Sequence, residues 1–112
     1  MRQTISLKEN RDFKRLYYRG KSVVAGSTVV YYQRNGKKFN KLGITVGKKL
    51  GNAVVRNRIK RLIRENYRLR EDDLKTGYNV VIVARSRAKD ADFHMIGRDL
   101  HKCLRDLLKE TN

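Results

Sequence analysis

Apolar residues recur along this chain with two different periods, and the switches between them divide it into segments. Between Asn10 and Tyr18, Phe13, Leu16 and Tyr17 fall three and four apart, which sets them on one face of a short helix. Asn10 reads as its N-cap and Gly20 as its stop, with Leu16 turned inward. From Ser22 to Gln33 the residues Val23, Val24, Val29, Val30, Tyr31 and Tyr32 favour extended backbone, and Gly26 marks a bulge or bend. Alternation places Tyr31 and Tyr32 on opposite faces of the strand, one toward a core and one away from it. Asn35-Gly36 is a tight-turn signal, after which Leu42, Ile44 and Val46 alternate with Gly43, Thr45 and Gly47. The two strands are expected to pair as a hairpin.

The helical period returns after Gly51. Asn52 reads as an N-cap whose amide oxygen accepts a hydrogen bond from an unpaired N–H of the first turn. Val55, Ile59, Leu62 and Ile63 then gather into an apolar arc of about 100°, enough to seat a helix running to Arg70 on a core. The polar stretch EDDLKTG ends it, and the unbroken run Val80, Val81, Ile82, Val83 suits a strand covered on both sides. A last helix is expected from Ala91 to Leu108, its stripe made by Phe93, Ile96, Leu100, Cys103, Leu104, Leu107 and Leu108. The pattern predicts a single α+β domain over residues 1–112, one central sheet packed by helices in the order αβββαβα.

Charge changes this picture because it is lopsided. Residues 1–47 hold 11 Lys and Arg against 2 acids, residues 48–70 hold 9 against 1, and residues 71–112 hold 8 against 8. The whole excess of +17 therefore precedes Glu71, which points to one face of high potential and a polyanionic partner. On the central helix Arg56, Lys60 and Arg64 follow at four-residue steps with Asn57, Arg61 and Arg68 beside them, a self-repelling ridge that a polyanion would neutralise. In the first helix, aromatic rings set among Lys14, Arg15 and Arg19 have the composition of a stacking platform for unpaired bases.

Candidate catalytic chemistry is nearly absent. Cys103 is the only cysteine and reads as a core residue, and His94 and His101 alone fall short of a metal site. Asp72 and Asp73 sit in a turn signal, where acids usually cap and solubilise. No run approaches the roughly 20 apolar residues of a membrane span, and the N-terminus lacks the apolar centre of a signal peptide, so a cytoplasmic protein is expected.

The stretch KKLGNAVVRNRIKRLIRE resembles the signature of the protein subunit of bacterial ribonuclease P. The likeness rests on Arg56-Asn57-Arg58, on Lys48-Lys49 and Gly51-Asn52-Ala53 before it, and on Lys60, Arg61 and Arg64 after it. It extends upstream through DFKRLYYRG and Tyr31, and downstream through VIVAR and the last helix. Gly47 stands where many relatives carry serine, and Tyr17 where some carry phenylalanine.

The resemblance implies a ribosomal protein S5 domain 2-like fold with a left-handed βαβ crossover, a hand that general principles disfavour and only the family supplies. It implies a ribonucleoprotein endoribonuclease whose catalyst is RNA and whose bound magnesium is held mainly by that RNA. The protein has no catalytic or metal-binding residue of its own in this reading, and no obligate protein partner. Phe13, Tyr17 and Tyr31 would bind the 5′ leader of precursor tRNA, and Lys14 is added to them on its charge alone. Arg56, Asn57, Arg58, Lys60, Arg61 and Arg64 would face the catalytic RNA, flanked by Lys48, Lys49, Asn52 and Arg68, with Arg58 also bracing the turn before its helix. Two alternatives use the same residues differently: a general RNA-binding protein, such as a small ribosomal protein, and a protein-only nuclease with magnesium on Asp72 and Asp73.

Overall fold

The structure is a computed structural model in which residues 3–109 are described. Its elements are β1 (Thr4–Ser6), α1 (Asn10–Arg19), β2 (Lys21–Val24), β3 (Thr28–Arg34), β4 (Asn40–Thr45), α2 (Ala53–Arg70), β5 (Tyr78–Ala84) and α3 (Phe93–Cys103). The strands form one mixed sheet in the order β1-β4-β5-β3-β2, with β1, β4 and β5 parallel and β5, β3 and β2 antiparallel. This is an α+β domain, as the pattern predicted, with one additional strand. β1 is three residues long, too short for alternation to register, and it lies parallel to β4 at the sheet edge.

β5 takes the centre because it is apolar on both faces. Val80 and Ile82 are fully buried toward α2 and α3, while Val81 is fully buried toward α1. Its insertion overturns the expected hairpin between β3 and β4, since each of those strands pairs with β5 and not with the other. The Asn35-Gly36 turn is nonetheless present, with Gly36 at φ 72° and the Asn35 side chain accepting from the Lys37 N–H at 2.7 Å. It carries the chain across the start of β5, where the Asn35 N–H donates to the Gly77 carbonyl at 2.9 Å. The true hairpin joins β2 to β3 through Gly26.

Helix ends differ slightly from expectation. The cap position of α1 is Glu9 and not Asn10, because the Glu9 carbonyl already accepts from the Asp12 and Phe13 N–H groups. Gly20 does end α1, but at an ordinary φ of −71°. Its need is for space: a Cβ there would lie 2.6 Å from the Leu16 carbonyl oxygen. Asn52 caps α2 as expected, accepting from the Val55 N–H at 3.0 Å. α3 is shorter than its stripe. Asp92 caps it through the Met95 N–H at 2.8 Å, and beyond Cys103 the buried Leu104 and Leu107 continue the stripe in a 3-10 turn.

The sheet thus separates two unequal cores. α2 and α3 cover one face with Ile59, Ile63, Tyr67, Ile96 and Leu100, all fully buried. α1 covers the other with Leu16, which packs with Leu7 and Val81.

Candidate nucleic-acid interface

α1 lies on its face of the sheet like a half-closed lid. Leu16 is fully buried, and the Phe13 ring fills the space over Gly43 in β4, where a Cβ would sit 2.6 Å from its Cζ. Any larger residue at 43 would lift the ring. One turn on, Tyr17 meets Tyr31 of β3 edge to face, centroids 4.9 Å apart, and keeps 43% of its surface exposed. Phe13, Tyr17 and Tyr31 are therefore brought together, as the family resemblance implied. Lys14 is not among them. It is exposed on the outer side of α1 in a groove with Arg11, Arg15, Tyr18 and Arg19.

α2 buries the predicted arc, with Ile59 and Ile63 sealed and Val55 and Leu62 half-covered. Its polar side chains, with those just ahead of it, have different surroundings. Lys60 and Arg64 reach a groove of about 360 Å³ that also contains Phe13, Gly43 and the edge residues Thr4 to Leu7. Asn57 and Arg61 are exposed, as are Lys48 and Lys49 on the 3-10 turn that buries Leu50 ahead of the helix. Arg68, also exposed, is paired with Glu65 at 2.8 Å, and that hydrogen bond, aided by the Arg68 charge, holds the Glu65 carboxyl below its ordinary value.

The bracing assigned to Arg58 falls to Arg56, whose Nε donates to the Gly51 carbonyl at 3.2 Å in the turn before α2. Arg58 instead reaches the loop ahead of α3, donating from Nη2 to the Ala91 carbonyl at 3.2 Å. Helical spacing alone could not distinguish these roles, because the acceptors lie in loops whose positions depend on the tertiary fold.

The remaining polar residues serve the fold. Cys103 is buried, its thiol donating to the Val23 carbonyl at 3.4 Å, and burial pushes it above its ordinary pKa. Tyr67, unassigned in the sequence, ties α2 to β1 through a 2.9 Å hydrogen bond between its hydroxyl and that of Thr4. Asn66 ties α2 to α3, donating to the Leu62 carbonyl and across to that of Phe93. Both were hidden from the sequence reading, since a buried amide or phenol looks like any polar position of an amphipathic helix. Asp72 and Asp73 are exposed on a 3-10 turn, and among the described residues no three His, Cys, Asp or Glu side chains gather to hold a metal ion. No helix there is long and apolar enough to cross a membrane.

Comparison with known proteins agrees with this geometry. The family model described as Ribonuclease P matches residues 1–108. The ribonuclease P protein component of Caldanaerobacter subterraneus subsp. tengcongensis is 45% identical over 99% of this chain and 93% of its own length. That of Clostridioides difficile is 40% identical over 98% and 94%. Among solved structures, the RNase P protein of Staphylococcus aureus matches with a TM-score of 0.82 at 39% identity, covering 93% of this chain and 94% of that one. The Thermotoga maritima protein matches with a TM-score of 0.83 at 30% identity, over 93% and 98%. The chain belongs to the bacterial ribonuclease P protein family and functions as the protein component of that ribonucleoprotein endoribonuclease, working with its RNA.

Proposed function

We propose that α2 docks this protein on the catalytic RNA and that the cleft between α1 and the sheet receives the single-stranded 5′ leader of precursor tRNA. The observation that carries this reading is the groove shared by Phe13, Lys60 and Arg64, which joins the aromatic cleft to the cationic helix. A strand leaving the cleavage site along the helix would meet phosphate-binding cations and then ring faces. The rings of Phe13, Tyr17 and Tyr31 offer stacking worth about 1–3 kcal/mol per base without selecting a sequence, as suits leaders of differing sequence. Arg61, Asn57, Lys48 and Lys49 point outward with no core role and are assigned to phosphates of the catalytic RNA.

Hydrolysis belongs to the RNA in this reading. Magnesium, when bound, stabilises the charge that develops at the phosphodiester. The donor set of the described residues does not fit that ion, so it is assigned to RNA phosphates. The protein positions the leader and screens phosphate repulsion, in the cytoplasm.

The test is cleavage of precursor tRNA by a bacterial ribonuclease P RNA at low magnesium, with and without this protein, as the leader is lengthened. Protein-dependent cleavage that improves with leader length is expected. No rescue, with RNA binding intact, would favour a general RNA-binding role.

A further inference from the structure

The outer side of α1 has no part in the proposed leader cleft, yet it carries a dense concentration of charge. Arg11, Arg15 and Arg19 follow at four-residue steps, a like-charge spacing that destabilises a helix standing alone. With Lys14 they surround Tyr18 in a groove of about 560 Å³. Tyr18 is 89% exposed, while the core below α1 is filled by Phe13 and Leu16, so packing does not account for its ring. An isolated surface tyrosine needs no explanation, but one ringed by four cations has the makings of a stacking site. The nearby acid Glu9 is engaged by Arg11 at 2.8 Å.

A second groove adjoins the first, and Arg19 lines both. It is formed by Arg19, Lys21, Arg34 and Tyr78, with a volume of about 340 Å³. Here the Arg34 guanidinium lies 5.8 Å from the centroid of the half-buried Tyr78 ring, while the hydroxyl of the neighbouring Tyr32 is committed to Asp106 at 2.9 Å. The two grooves form a track of cations and two aromatic rings running along α1 and around the end of the sheet. No residue of α2 lines either groove, so this track is separate from the cationic helix.

We infer that this outer track is a second binding site for single-stranded RNA, with Tyr18 stacking on an unpaired base and Arg15 and Arg19 holding the flanking phosphates. Unpaired strand is favoured over duplex because a ring projecting from a helix can stack only on a base that has left its pair. Two sources share this chemistry: the distal part of a long leader, and a loop of the catalytic RNA. The inference does not depend on the inner cleft, since it uses none of Phe13, Tyr17 or Tyr31.

The test uses holoenzyme reconstituted with a bacterial ribonuclease P RNA and carrying Tyr18→Ala, Tyr18→Phe or the pair Arg15→Gln and Arg19→Gln. Affinity is measured for the catalytic RNA, and for precursor tRNAs with a leader confined to the cleft or extending beyond it. Tyr18→Ala is expected to weaken one of these by about 5- to 150-fold while Tyr18→Phe retains it, as stacking requires. The arginine pair should lower the salt slope of the same measurement by about 0.7 per cation removed. Loss confined to the long leader assigns its distal nucleotides; loss in the first measurement assigns the catalytic RNA. Wild-type affinity and salt slope throughout would overturn the inference, as would a loss that Tyr18→Phe shares equally. Phe13→Ala, measured alongside, reports on the inner cleft by itself.

Discussion

On the α2–α3 side of the sheet, Ile59, Ile63, Ile82, Ile96 and Leu100 have no exposed surface, and Tyr67 is sealed among them. On the α1 side, among the described residues, only Leu16 and Val81 reach that level, while Leu7 is 5% exposed, Phe13, Tyr31 and Val83 are half-covered and Tyr17 is 43% exposed. The two layers share one sheet, and β5 contributes alternate residues to each. What differs is how far the covering helix closes. The sealed side holds the domain together, and the half-open side leaves ring faces available to a ligand without calling on the main core. Such a division lets a small protein carry a binding surface at modest cost in stability, and it can be broken one side at a time.

The largest effect is expected on the sealed side. Ile63→Ala removes a fully buried side chain from α2 and should lower unfolding free energy by about 2–5 kcal/mol, read from denaturant unfolding. Holoenzyme affinity for precursor tRNA should remain near wild type once the protein is folded. An equal loss in leader affinity would mean that the two sides are not separable.

Next comes the open side. Phe13→Ala is expected to weaken holoenzyme binding to precursor tRNA by about 1–3 kcal/mol, while costing less stability than Ile63→Ala because the ring is only half-buried. Gly43→Val should mimic it by displacing the ring. Normal binding in both variants would remove Phe13 from the cleft.

Much of this contrast was legible in the sequence, for reasons that also mark the limits. The two-sided burial of β5 is written in its unbroken run of Val80, Val81, Ile82 and Val83, and the arc of α2 in its helical spacing. The hairpin expectation failed at the same strand. Asn35-Gly36 encodes a local turn, but whether a third strand enters between its arms depends on residues more than 40 positions later. Phe13 and Tyr17 stood out as rings among cations, a compositional signal, whereas Tyr31 joined them only through the family resemblance. That Lys14 would lie on a different flank from the three rings was not legible, since a ten-residue helix shows its inner face through Leu16 but does not reveal which flank the sheet leaves open.

A third effect follows from the phenols of the sealed side. Burial pushes Tyr67 above its ordinary value of 10, partly offset by hydrogen bonds with Thr4 and Asn40, and burial together with Asp106 raises Tyr32. A raised value in the folded state means that the unfolded chain ionises first. The stabilisation is complete below about pH 10 and is lost as pH climbs toward the folded values, with a slope of at most about 1.4 kcal/mol per pH unit for each tyrosine. Thermal melts from pH 9 to 11 should show falling Tm, and Tyr67→Phe should flatten that fall. An unchanged pH profile in Tyr67→Phe would mean that its phenol does not carry the effect.

The smallest effect is expected at the start of α2, beside the surface proposed to face RNA. Asn52 serves the fold through its oxygen, which accepts from the Val55 N–H, while its side chain stands exposed beside the cations assigned to the catalytic RNA. Asn52→Ala removes the cap and should cost about 1 kcal/mol of stability. Asn52→Asp keeps the cap and complements the helix dipole, so stability should hold, but it adds a negative charge where phosphates are expected. If Asn52 lies at the interface, the aspartate variant should bind the catalytic RNA more weakly than wild type while melting no earlier. If both substitutions change stability alone, Asn52 is a capping residue and the RNA-facing surface begins one turn later, at Arg56 and Asn57.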